Sequence, residues 1–416
     1  MEFHMPESTN APITPSPHHP TTILALGSYF KGAAFLQQCK ALGCTVYLLT
    51  KEKFKDAAWP RESIDEMFWM PDTHKQPDLT YAVSYMMRTR KIDRIVPLDD
   101  YDVEVAANLR EHLRIPGMGE TTVRHFRDKL AMRVQARDEG VRVPDFSPVV
   151  NYDDLREFME RVPAPWVLKP RSEAASFGIK KLNNSEELWR ALDELGDRQS
   201  YYVLEKFVPG DVFHVDSVIW EDEVVFSIAS GYAKPPLSVV TGGDVFRSRV
   251  LPYDSADAAA LREFNKKVMK ALHMKRGVTH AEFIKGDADG QLYFLETAAR
   301  VGGANLAEMI ETASGINLWR EWANVEVANA RKEEYQLPPV KHDYAGIIVC
   351  LARQEWPDMD AYNDPEVVWK LKKEHHAGLI LHSQDNARIL ELLNQYGERF
   401  AHDFLAWMPQ LDKPND

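Results

Sequence analysis

An α/β fold, with a parallel N-terminal sheet and an antiparallel C-terminal part, is the class that this sequence predicts. Three observations carry it. From Thr22 short apolar runs alternate with longer amphipathic ones, a small strand–helix–strand unit opens near Trp166, and from Val212 apolar runs follow one another directly. Alternating strands and helices imply parallel strands joined by right-handed crossovers. Successive strands joined by short turns imply antiparallel pairing.

Taken in order, residues 23–26, 45–49, 66–70 and 94–98 read as strands, and 31–42, 77–90 and 101–113 as helices. Gly27 and Gly32 bracket the first strand-to-helix turn, but the segment lacks the G-x-G-x-x-G spacing of a dinucleotide site. It reads as a tight turn or as a ligand contact at the strand ends. Asp99, Asp100 and Tyr101 follow the fourth strand, where aspartates serve as helix N-caps or as substrate contacts. One helix is expected from near Thr121 to Gly140. The small unit comprises a strand at 166–169, a helix at 185–195 and a strand at 201–204. Strands at 212–220, 223–230 and 247–251 and a helix at 256–272 precede the strand pair 278–283 and 292–296. The turn between that pair, Lys285 to Gly290, reads as a solvated hairpin turn rather than a calcium loop. A helix at 315–329, a polar stretch at 331–342 and a final helix at 385–400 complete the chain.

At 416 residues the chain is too long for one ordinary core. The expected division is a tail at 1–20, an N-terminal parallel-sheet domain at 21–120, a central domain at 121–335 with a lid at about 150–205, and a C-terminal subdomain at 336–416. A net charge of −13 argues against general binding to nucleic acid or anionic membranes, which requires basic patches. Three cysteines, Cys39, Cys44 and Cys350, show neither metal-ligand spacing nor a disulfide framework, so a reducing cytoplasm is the expected setting. The first twenty residues hold five prolines and lack the apolar core of a signal peptide. No apolar run approaches the roughly 18 residues that cross a bilayer.

The chemistry concentrates in Gly277-Val-Thr-His-Ala-Glu-Phe283 and Leu295-Glu-Thr-Ala-Ala-Arg-Val-Gly-Gly303. Two adjacent strands each deliver a carboxylate, Glu282 and Glu296, the oxygen ligands that Mg²⁺ on a polyphosphate needs. Arg300 follows, able to grip phosphate or carboxylate through two parallel N–H bonds. Upstream, Lys129 lies after Arg127-Asp128, and Lys169 ends an apolar strand before Pro170, so two cations from different elements could neutralise one triphosphate. The small-residue loop 171–178, which includes Ser176, is suited to donating backbone N–H groups to phosphate. In Val203-Leu-Glu-Lys-Phe-Val-Pro-Gly210 the backbone could read an adenine edge while Glu205 accepts from the amino group; a surface strand-end glutamate is the plain alternative.

The order and spacing of these pieces, from about Ile23 to Ala328, resemble the ATP-grasp superfamily, and most of all its L-amino acid ligase and carboxylate–amine ligase branch, whose members show a similar His280-Ala-Glu-Phe283 element. The resemblance implies an ATP-grasp fold with a Rossmann-like N-terminal domain, a small lid and an antiparallel C-terminal domain. It implies an ADP-forming enzyme that uses ATP and Mg²⁺, with Mn²⁺ as an alternative, to activate a small carboxylic acid as an acyl phosphate and pass it to an amine. Amino acids are candidate substrates, and a homodimer is a permitted assembly. Lys129, Lys169 and the Ser176 loop would hold the phosphates; Glu205 with the backbone of Lys206 and Val208 would hold adenine. His214 would lie near the ribose, or be structural. Glu282 and Glu296 would ligate the metal, and Arg300 with Lys169 would serve the phosphoryl transfer. Lys234, Arg247 and Arg249 are further phosphate candidates. Where the family places an asparagine metal ligand this chain has Ala298, with Asn305 as a candidate replacement. A carboxyphosphate-using carboxylase or purine-pathway ligase, and a nucleotide-binding protein without ligase activity, are the alternatives.

Overall fold

The computed structural model describes residues 20–173 and 177–406, so residues 1–19 of the expected N-terminal tail, and Ser176, lie outside the described residues. The first sheet holds β1 (Thr22–Gly27), β2 (Thr45–Lys51), β3 (Glu66–Met70) and β4 (Arg94–Pro97) in the order β3-β2-β1-β4, and every pairing is parallel. Helices α1 (Ala33–Ala41), α2 (Asp78–Met86) and α3 (Asp102–Leu113) join them. Alternate residues of β1 enter different cores. Leu24 and Leu26 pack with Leu79, Val83 and Leu109, while Ile23 and Ala25 pack with Phe35 and Leu36. A strand covered on both faces is apolar throughout, which is why β1 shows no polar alternation.

The single helix expected over 121–140 is two, α4 (Glu120–Arg127) and α5 (Lys129–Asp138). Asp128 between them is extended, with φ −93° and ψ 108°, and its side chain accepts from the N–H groups of Leu130 and Ala131. An aspartate that caps a new helix start outweighs the continuity of the apolar pattern.

The second sheet, in the order β5-β8-β6-β7, holds β5 (Phe146–Pro148), β6 (Trp166–Pro170), β7 (Lys180–Leu182) and β8 (Tyr202–Lys206), all antiparallel. Helices α6 (Tyr152–Arg161) and α7 (Ser185–Leu195) bury Leu155, Phe158, Leu188 and Leu192 against Trp166, Leu168 and Leu204. Helix α6 has no counterpart among the expected elements, although Asn151 caps it by accepting from Asp153 N–H at 2.8 Å.

The third sheet is antiparallel and eight-stranded: β13-β12-β9-β10-β11-β14-β16-β15. Its strands are β9 (Gly210–Trp220), β10 (Glu223–Tyr232), β11 (Phe246–Val250), β12 (Gly277–Gly286), β13 (Leu292–Ala298), β14 (Tyr344–Leu351), β15 (Val367–Lys370) and β16 (His376–Ser383). Helices α8 (Pro236–Gly242), α9 (Ala256–Ala271), α10 (Leu306–Ser314), α11 (Leu318–Arg331) and α12 (Asn386–Asp403) accompany it. The helix expected at 315–329 is α11; α10, ended by Gly315 at φ 75°, precedes it. The C-terminal strands β14 to β16 extend the same sheet through the β11–β14 pairing. Trp322 of α11 meets Phe35 of α1 at 5.7 Å between ring centroids, so the parallel sheet docks through α1 onto the helices behind the antiparallel one. Among the described residues no helix is long and apolar enough to cross a membrane.

Candidate active site

A cleft of about 640 Å³ opens where the carboxyl ends of β1 and β4 face β12 and β13. In the first sheet β1 is flanked by β2 and β4, and the crevice at such a reversal of strand order is where open sheets bind ligands.

Glu282 and Glu296 lie opposite each other in the β12–β13 register, so their side chains share a face, and both line the cleft. His280, two residues before Glu282, shares that face. Glu282 accepts from the Tyr232 hydroxyl at 2.8 Å, and His280 Nε2 lies 3.6 Å from the same oxygen. Burial and then Glu282 push the Tyr232 pKa far up, which keeps the phenol a donor. Lys129, first residue of α5, sits 3.0 Å from Glu296 and donates to the Glu173 carbonyl at 2.6 Å. Burial would raise the Glu296 carboxyl, but Lys129 and Lys169 outweigh it and hold it below the usual range. The break at Asp128 aims Lys129: Arg171 Nε grips Asp128 at 2.9 Å, and Lys129 N–H donates to the Arg171 carbonyl at 2.8 Å.

Arg300 Nε stands 3.7 Å from Asp100 Oδ1, and neither atom has a hydrogen-bond partner; Arg127 donates to the other Asp100 oxygen at 2.8 Å. Asp100 therefore holds two guanidiniums at the cleft wall. Asp99 pairs with Lys31, and Tyr101 donates to Glu173 at 3.2 Å, so this triplet faces the cleft instead of acting as a plain helix cap. Asp100 is the strand-end residue that the sequence marks as a cap or substrate contact; Tyr232, Arg127 and Lys31 carry no functional signal of their own in the sequence.

Several expectations need correction. Glu205 is fully buried, with Lys169 at 2.7 Å and Arg133 at 3.0 Å, so it is not open to accept from an adenine amino group. Burial would raise its pKa; Arg133 and Lys169 reverse this and hold it low. The cation it holds, Lys169, keeps 14% side-chain exposure. Lys206 N–H is taken by the Asp145 carbonyl at 2.8 Å, whereas Val208 N–H has no partner among the described residues. His214 is fully buried, its Nδ1 2.6 Å from Asp216 and its Nε2 2.7 Å from Ser248, which removes it from any ribose contact. Asp216 also holds His280 Nδ1 at 2.8 Å; burial works to lower the His280 pKa, but Asp216 and Glu282 raise it to about 9. Lys234 pairs with Asp244, while Arg247 and Arg249 donate to Leu393 and Asn386 and so fasten the end of the chain instead of binding phosphate. Asn305 bonds to Glu308 and does not line the cleft, so it does not replace the ligand missing at Ala298.

Residues 162–308 match the sequence profile of the ATP-grasp domain. The chain is 29% identical over 259 residues to the L-arginine-specific L-amino acid ligase of Bacillus subtilis, covering 60% of this chain and 62% of that one. It is 22% identical over 295 residues to the alanine–anticapsin ligase of Bacillus subtilis strain 168, covering 64% and 61%. The matched stretch thus spans less than two thirds of these relatives. By fold it is similar to the L-amino acid ligase of Bacillus licheniformis, with TM-score 0.72 and 16% identity over 94% of this chain and 100% of that one. It is also similar to the N5-carboxyaminoimidazole ribonucleotide synthetase of Thermus thermophilus, with TM-score 0.70 and 18% identity over 93% and 99%. Profile and fold agree on one point: residues 162–308 match the ATP-grasp domain, and the fold around them is similar to that of solved ligases.

Proposed function

We propose that this chain is an ATP-dependent, ADP-forming carboxylate–amine ligase that joins a small carboxylic acid, such as an amino acid, to an amine. The observation that carries the reading is the cross-strand pair Glu282 and Glu296, facing Lys129 and lying in one cleft with Arg300. A metal fits this donor set. Mg²⁺ on a nucleotide needs only one or two protein carboxylates beside phosphates and water, so the loss represented by Ala298 leaves enough. The Lys129 ammonium at Glu296 marks the same carboxylate as one that takes a cation. Mg²⁺ held by Glu282 and Glu296 would neutralise charge on the terminal phosphates.

A carboxylate does not react with an amine until it acquires a leaving group. In this reading Lys129 and Lys169 bind the phosphates, and the Val208 N–H offers a donor to the adenine edge. Arg300, braced by Asp100, lies where it can stabilise the transferring phosphoryl group or orient the carboxylate. Tyr232 and His280 fix Glu282. The acyl phosphate would hydrolyse in water, so closure of a lid formed by the second sheet serves the second step as well. Amine attack then releases phosphate and forms the amide.

Incubation with Mg²⁺, ATP, a panel of carboxylic acids and hydroxylamine tests this directly. Hydroxamate should accumulate together with ADP and phosphate. AMP and pyrophosphate as products would reject the acyl-phosphate route.

A further inference from the structure

Behind the cleft lies a second cavity of about 260 Å³ for which the proposed chemistry has no use. Its wall is built from Arg110 of α3, the Gly117–Gly119 turn, Lys275 and Arg276 just before β12, and Glu326 of α11. Two arginines and a lysine thus line the cavity with one glutamate, and the Glu326 carboxylate is shared with a third guanidinium, Arg94, whose Nε is 3.8 Å away. The side chains of Lys275 and Arg276 make no hydrogen bond or ion pair with any described residue. Arg94 Nε is buried without a hydrogen-bond partner.

Arg110 is fixed rigidly at the base. It donates Nε to the Ile95 carbonyl at 2.9 Å and Nη1 to the Met118 carbonyl at 3.2 Å. Residue 117 must be glycine for this packing, because a Cβ there would lie 2.7 Å from Arg110 Cδ and Nε. Burial first lowers the Arg110 pKa to about 10, with Arg276 and Arg94 adding to the fall against the pull of Glu326. Arg110 and Arg94 are buried with Glu326 as their shared carboxylate, whereas Arg276 is half-buried and Lys275 exposed at the rim; buried positive charge in excess of its counter-charge is costly unless something compensates it.

We propose that this cavity is a binding site for a small oxyanion of the phosphate class, gripped by Arg276 and Lys275 over a floor made by Arg110. Its volume is below the roughly 300–1,000 Å³ of sites for larger ligands, which suits free phosphate or the phosphate of a small monoester. The site shares a wall with the catalytic cleft: Ala299 faces the cavity, and its neighbours Ala298 and Arg300 face the cleft. The inference does not depend on the ligase reading, since it uses none of the residues assigned to that reaction.

The test is isothermal titration of the full chain with inorganic phosphate, the cleft being filled by a non-hydrolysable ATP analogue and Mg²⁺. Saturable binding should appear in the wild type, weaken at least tenfold in Arg276→Ala and again in Lys275→Ala, and leave affinity for the nucleotide analogue unchanged in both. Two positions are used so that a poorly folded variant at one does not end the test; thermal melting identifies it. Glycerol 3-phosphate as a second titrant separates the sources: tighter binding than phosphate identifies a monoester ligand, and binding of phosphate alone identifies the free ion. Absence of binding once the analogue fills the cleft, or equal affinity in wild type and both variants, overturns the proposal.

Discussion

Glu205 and Glu296 are both glutamates facing lysines, yet they are set in opposite surroundings. The Glu205 side chain is 1% exposed between Arg133 and Lys169, whereas that of Glu296 is 35% exposed beside Lys129. The first cluster is closed around its carboxylate, with only Lys169 reaching solvent at 14% exposure, so Glu205 is held in place. The second is open on one side, so Lys129 can exchange its carboxylate for a ligand. Access to solvent, rather than residue type, separates a brace from a site.

Removing the sealed charge should have the largest effect. Glu205→Gln leaves Arg133, which is fully buried, without its paired carboxylate, and should lower unfolding free energy by about 3–5 kcal/mol. Urea denaturation measures this, and a loss below about 1 kcal/mol would erase the distinction between the clusters. The effect carries a pH signature. Because the folded state holds the Glu205 pKa below its unfolded value of about 4.3, its stabilisation is present above that pH and is lost as pH falls through the folded pKa. The stability gap between wild type and Glu205→Gln should therefore narrow in acid.

The open cluster should respond in turnover instead. Glu296→Gln should fold normally and lose about 10²- to 10³-fold in ATP turnover, as expected when one charge-stabilising group is lost. Near-normal turnover in a folded variant would remove Glu296 from the metal site. Arg300→Lys keeps the charge but not the planar fork, and should cost about 1.5–3 kcal/mol in transition-state stabilisation, read from kcat with KM for ATP little changed. A large rise in KM with intact kcat would move Arg300 to ground-state binding. The smallest effect belongs to Lys206→Ala, whose side chain is exposed: stability within about 0.5 kcal/mol and an ATP KM close to wild type. A marked loss would mean that its side chain, not only the neighbouring backbone, touches the nucleotide.

The local patterns in the sequence were sufficient for every strand of the parallel sheet and for the pair that carries Glu282 and Glu296, because period and turn chemistry act over short distances. The apolar pattern runs straight through Asp128 as one helix, whereas its side chain caps α5 and is gripped by Arg171 from 43 residues away. The burial of Glu205 is hidden for the same kind of reason: the arginine that pairs with it lies 72 residues earlier, and nothing near position 205 announces it. His214 looks like any strand histidine until Ser248 is seen to occupy its second nitrogen. Residues that act through local geometry were readable; those defined by a distant partner were not.

The β11–β14 pairing sets a limit for protein engineering. Strand β11 is bonded to β10 on one side and to β14 on the other, so the profile-matched stretch 162–308 contains a sheet whose far edge is completed only by strands beyond it. A fragment cut after residue 308 would bare the amides and carbonyls of β11, an edge that invites pairing between molecules, and a fragment begun at 162 would omit Lys129. A chimera that exchanges this site with a relative's must therefore transfer everything from before α4 through β16, and its junctions belong in the turns outside those elements.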